Sequence, residues 1–197
     1  MNGCTEPQFE LQKVKILKGA SGVNIDFAVS GNDSVPTVTH HVENPTFPHP
    51  DFIKAVDAIK ELLVKAIGKE TIHTERVIAG LKSNFKKEAT YSELEKLFED
   101  HFFAELQKVT VTGVAISGFD QNRGAIITGT YLCKNGSKIA LNSPRVRFEG
   151  ELFGWEKVLD EACQVIAHEA YEYTFKDKQA QQVIDFGTEG EEPQAQE

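Results

Sequence analysis

The sequence predicts an α+β domain in which an antiparallel sheet of two β-meanders packs against two or three helices. Three observations carry this: period-two alternation in two separate regions, an Asn-Gly turn between β-prone runs, and amphipathic stretches at helical spacing. Six short strands leave closure into a small barrel as the alternative topology.

In the first meander Val14 and Ile16 alternate with Lys13 and Lys15. Val23, Ile25, Phe27 and Val29 then alternate with Asn24, Asp26, Ala28 and Ser30. Turn residues Gly19 and Gly22 separate these runs, and Gly31, Asn32 and Asp33 precede a third run ending near Val42. Pro36 marks that run as an edge strand, because proline has no N–H for the ladder.

Prolines 45, 48 and 50 forbid a regular element across 44–51 but suit a helix start at Pro50 or Asp51. Phe52, Ala55, Val56, Ile59, Leu62, Leu63, Ala66 and Ile67 follow at three- and four-residue steps, and Gly68 stands where a left-handed cap belongs. The spacing predicts one helix over 51–67. A short helix is expected over 74–81. A capping box of Thr90 and Glu93 opens another, with Leu94, Leu97, Phe98, Phe102 and Leu106 on one face.

The second meander reads VTVTGVAIS, a loop GFDQNRG, then AIITGTYLC, the turn Asn135-Gly136 and KIAL. A long final helix is marked by Leu152, Trp155, Leu159, Ala162, Ile166, Ala170 and Tyr173, ending near Lys176. Residues 1–178 are therefore expected to form one domain, with 69–108 a helical insertion and 179–197 a flexible acidic tail.

A chain of 197 residues with 40% hydrophobic and 26% charged residues is long enough for one core and ordinary in composition. Cys4, Cys133 and Cys163 are odd in number and show no metal-ligand spacing. With no basic, apolar start of a secretory signal, they predict a cytoplasmic chain. The apolar-leaning stretch 109–119 falls short of the roughly 20 residues of a membrane span, so no membrane partner is expected. The net charge of −9 opposes nonspecific binding to a phosphate backbone.

Catalytic constellations are scarce. His40, His41 and Glu43 are metal-ligating types, but adjacent strand residues point to opposite faces. His168-Glu169 lacks the second histidine one turn on that a zinc protease helix requires. The chain has no GxSxG elbow and no phosphate-cradling glycine loop, and the cysteines sit in or near apolar runs. Asp26, Asp120, Glu149 and Glu151 are the acids that would have to meet for acid-base work. The sequence thus assigns no catalytic residue, metal site or cofactor.

Binding features are clearer. The loop 118–124 presents Phe119, Asp120 and Arg123 as candidate partner contacts. Phe47, in the proline loop, reads either as a contact or as a staple over the first helix. Arg123, Arg145 and Arg147 would line a basic groove for single-stranded nucleic acid. Near the C-terminus Gln182, Ile184 and Phe186 resemble the clamp-binding peptides of bacterial replication proteins, in which a Gln precedes a short hydrophobic segment ending in Phe. Asp185 stands where that motif prefers Leu, and Gly187 where its eukaryotic form has a second aromatic.

Taken in order, the N-terminal meander, PHPDFIKAVDAIKEL, VTGVAISGFDQNRGAIITGT, LNSPRVRFEG and the terminal helix resemble a group of phage and prophage proteins of unassigned activity. The resemblance implies a proline-bounded first helix (48–62), a GV-S-x-G-like strand (113–118) and an ITG strand (127–129). Residues 69–108 stand as an insertion relative to it. The expected function is a non-enzymatic accessory binding protein in DNA metabolism or host interaction, with a protein partner such as the sliding clamp. A single-stranded nucleic-acid binder with an acidic recruiting tail, and a small hydrolase or metal enzyme, are the alternatives.

Overall fold

The computed structural model describes residues 8–30, 37–68, 91–176 and 178. The alternating runs form β1 (Gln8–Ile16), β2 (Val23–Ser30) and β3 (Val38–Asn44), then β4 (Val109–Ser117), β5 (Gly124–Leu132) and β6 (Lys138–Asn142). All pair antiparallel in one sheet of order β3-β2-β1-β4-β5-β6. Two meanders are therefore joined edge to edge at β1 and β4, the predicted arrangement. No pairing joins β3 to β6 among the described residues, so the sheet is open. A further strand that the sequence reading missed, β7 (Val146–Arg147), returns to pair with β5. Two residues are too short to show a period.

A cross-strand row on one face explains the register. Val42 lies opposite Ile25, Ile25 opposite Val14, Val14 opposite Val114, and Val114 opposite Ile127. Ile25, Val14, Val114 and Ile127 are each at most 1% exposed. Adjacent apolar pairs of this kind are the unit of sheet stability. Bulges at Leu11/Lys13 and Val111/Gly113 reset the alternation. As a result Leu11 and Val14, three residues apart, are both buried, as are Val111 and Val114.

The helices cover that face. α1 (Pro50–Asp57) begins as predicted: Pro50 occupies the first turn, and the His49 ring accepts a hydrogen bond from the Asp51 amide at 3.3 Å. The expected single helix is interrupted at Ala58 and Ile59, and resumes as α2 (Lys60–Ala66). The two halves have different tasks. α1 packs on β4 and on the last helix, whereas α2 packs on β4, β5 and α3 (Tyr91–Leu106). Gly68 caps α2 at φ +66°.

α3 is anchored through a buried carboxylate. Glu105 accepts hydrogen bonds from Tyr131 Oη at 2.8 Å and Lys108 Nζ at 2.7 Å. The carboxylate raises the Lys108 ammonium above its usual range, and burial is the main cause of the raised Tyr131 phenol. A charge so paired avoids most of the cost of burial.

The last helix, α4 (Glu156–Phe175), starts later than its apolar spacing suggests. Leu152 is 83% exposed in the preceding loop. That loop folds around Glu156, whose carboxylate accepts the Phe153 amide at 2.7 Å. This hydrogen bond is the main cause of a Glu156 carboxyl held below its usual range. Cys163 is on the buried face of the same helix, its thiol pushed up to about 12 by burial, which makes it packing rather than a nucleophile.

Among the described residues no helix is long and apolar enough to cross a membrane. The expected helix at 74–81, Thr90 of the capping box, Pro36, Cys4 and the whole tail, with Gln182, Ile184 and Phe186, lie outside the described residues.

Candidate functional site

The β4–β5 tip is built by local turn chemistry. Gly118 has φ +89°, and a Cβ there would overlap the Asn122 carbonyl and the Arg145 guanidinium, so only glycine fits. Asp120 then adopts a left-handed φ of +47°, which an Asp tolerates better than most residues. Hydrogen bonds from Asn122 N to Phe119 O and from Arg123 N to Asp120 O, both 2.9 Å, close the turn.

Arg145 braces this turn from outside. Its Nη2 donates to Ser117 O at 2.7 Å and to Asn122 O, and its Nε donates to Ser117 Oγ at 3.3 Å. One planar guanidinium thus spans the two sides of the tip. Arg123 is also engaged: its guanidinium lies 5.5 Å from the Phe148 ring centroid, and its Nη1 is 3.9 Å from Asp160 Oδ1. Phe148 N in turn donates to Arg123 O at 3.0 Å, joining the tip to the loop that carries Leu152.

The three arginines therefore do come together at one end of the sheet. Arg145 is occupied by backbone oxygens and Arg123 by Asp160 and Phe148, which leaves Arg147, exposed on β7, to face water. Phe119 is the opposite case: its ring is 81% exposed. Phe47 is half-exposed in the proline loop, beside buried Pro48.

His40 and His41 separate as strand geometry requires. His40 lies opposite Phe27 on the helix-covered side and stacks on its ring at 5.1 Å. His41, on the open face, meets Asp26 through Nδ1 and Glu43 through Nε2, the latter at 3.3 Å. Both ring nitrogens are engaged by carboxylates, and neither is left for a metal or a reacting hydroxyl. Among the described residues no cluster of three or more His, Cys, Asp or Glu is placed to hold a metal ion. The four candidate acids are dispersed: Asp26 on β2, Asp120 at the tip, and Glu149 and Glu151 in the β7–α4 loop.

Hydrogen bonds that the His41 ring donates to Asp26 and then to Glu43 raise its pKa. A raised folded-state value contributes stability in full below about pH 6.5 and loses it as pH rises through the folded value. In a histidine-resolved NMR titration His41 is expected to deprotonate above the ordinary range, and Asp26→Asn to bring it back down. An unchanged midpoint in that variant would show that the carboxylate does not hold the proton.

Against known protein families, curated proteins and solved structures, the chain matches none.

Proposed function

We propose that this protein is a non-enzymatic accessory factor of the phage type its sequence resembles, acting by protein contact in DNA metabolism or host interaction. Its contact surface is the β4–β5 tip. The observation that carries the reading is Phe119, a ring 81% exposed on a turn whose backbone Arg145 braces. A large aromatic at a turn gains most by entering a partner's pocket, and a braced turn loses little freedom when it does. Exposed Leu152, on the loop hydrogen-bonded to the tip, supplies a second apolar anchor.

Affinity capture from bacterial lysate, with and without nuclease treatment, tests this. The full chain is expected to retain a protein whether or not nucleic acid is present. Phe119→Ala is expected to weaken capture about thirtyfold, the effect of losing about 2 kcal/mol at an aromatic hot spot. Its melting temperature is expected to stay within about 2 °C of the parent, since an exposed ring contributes little to folding. Arg145→Ala is expected to weaken capture less, by loosening the turn without removing the ring. A chain ending at Asp177 should still capture; loss there would move recognition to the tail segment containing Gln182, Ile184 and Phe186. Capture that vanishes on nuclease treatment would replace this reading with single-stranded nucleic-acid binding.

A further inference from the structure

We propose that β3 is a strand-addition site for an extended peptide segment of a partner, one that alternates basic and apolar residues. This surface is separate from the β4–β5 tip and does not depend on it. Among the described residues β3 pairs with β2 alone, through an unbroken register from Val23↔Asn44 to Val29↔Val38. Its other side presents a row of main-chain donors and acceptors.

Edge strands are ordinarily blunted by lysine, proline, bulges or shortness. The seven residues of β3, VTHHVEN, include no lysine, arginine or proline, and the β2–β3 register has no bulge. The opposite edge is different: β6 has five residues and opens with Lys138. Among the described residues the β6 edge is short and opens on a lysine, whereas β3 is longer and has neither lysine nor proline.

Side chains on the two faces of β3 specify what an added strand would carry. On the helix side Val38 is 47% exposed, and Phe175, 51% exposed, packs against Phe27 with ring centroids 5.5 Å apart. His40 stacks on the same Phe27 ring, so Val38, the His40 ring and Phe175 are exposed on that side, a mixed apolar and imidazole ledge that the helices leave open. A strand laid beside β3 would cover that ledge with every second side chain. On the other face Glu43, whose side chain is 71% exposed, is the most accessible charge of the Asp26, His41 and Glu43 row. A basic side chain complements it, and the net charge of −9 attracts a basic segment from a distance. A second copy of this chain brings the same −9 and is the poorer occupant.

The test is a titration of the full chain with a capped heptapeptide of alternating Lys and Val, followed by backbone amide NMR. Saturable shifts concentrated on residues 38–44, with slowed amide exchange there, are expected. Val38→Lys, which places a gatekeeper charge on the ledge, is expected to lower affinity about tenfold or more; Ile139→Lys on β6 should leave it unchanged. Glu43→Lys provides the charge arm in a residue whose exposure makes misfolding of no concern, and it too should weaken binding. A peptide alternating Glu and Val should bind at least about tenfold more weakly than the lysine peptide. The proposal is overturned by shifts absent from β3, by equal effects of Val38→Lys and Ile139→Lys, or by equal binding of the two peptides. Sedimentation as a dimer that Val38→Lys dissociates would make a second copy the occupant and overturn it equally.

Discussion

Gly113→Ala is expected to destabilise the fold by about 3 kcal/mol or more, the upper range for forcing atoms into a filled site. Two effects compete at this position. Alanine restricts the unfolded chain and by itself would stabilise by up to about 1 kcal/mol. Against that, an added Cβ would overlap the Val14 carbonyl oxygen and lie 3.2 Å from Lys15 Cα. Both obstacles are backbone, so no side-chain rotation relieves the overlap, and β1 and β4 must separate. Their pairing rests on three register pairs, Lys13↔Ala115, Val14↔Val114 and Lys15↔Gly113, and it is the seam between the meanders. Urea denaturation followed by circular dichroism reads the loss directly. A midpoint equal to the parent's would mean the seam opens without cost and the two meanders are held together by the helices instead.

Tyr173 is expected to show an effect of comparable size, and two substitutions separate its ring from its hydroxyl. The residue is 1% exposed, and its ring packs against Phe52 with centroids 5.7 Å apart. Its Oη donates to Thr46 O at 2.8 Å and lies 3.0 Å from Thr46 Oγ1, while Thr46 itself is tied to Asn44 Oδ1. α4 is thereby fastened to the proline loop that launches α1. Tyr173→Ala leaves a cavity among Phe52 and its neighbours and is expected to cost about 4 kcal/mol. Tyr173→Phe keeps the packing and removes one hydrogen bond, for about 1 kcal/mol. If both variants lose the same amount in urea titrations, the hydroxyl rather than the ring is what holds the loop.

Both sites illustrate how far local patterns reach. The run VTVTGVAIS reads as a strand from its composition, and β4 spans all of it. That Gly113 would face the backbone of Val14 could not be read from it, because the contact joins residues about a hundred positions apart. The interruption between α1 and α2 is equally silent in the sequence, since Val56, Ile59, Leu62 and Leu63 keep helical spacing across it. At α4 the spacing overran the true start: Leu152 fits the period, but Glu156 draws the Phe153 amide into a loop contact first.

The candidate site divides along the same line. A glycine-bounded loop with an aromatic, an acid and a base marked 118–124 as a surface turn, and Phe119 is exposed there. Charge alone groups the three arginines, and the fold gathers them at one end of the sheet. Which of them remains available depended on carbonyls of Ser117 and Asn122 and on Asp160, which sequence proximity does not reveal. His41 is similar: strand alternation separates it from His40, whereas its Asp26 partner comes from the register of β2 on β3.

By itself, then, the sequence determined six of the strands, the helical regions around 50–67, 91–106 and 156–175 without their exact breaks and starts, and the glycine turns at 118 and 136. These follow from period, turn chemistry and backbone sterics, which act over a few neighbouring residues. Tertiary structure alone decided the seam between β1 and β4, the two bulges that bring Leu11 with Val14 and Val111 with Val114 to one face, and the fates of Arg123, Arg145 and His41. Those depend on register and on desolvated partners far away in the chain, and they are set only when the sheet closes against its helices.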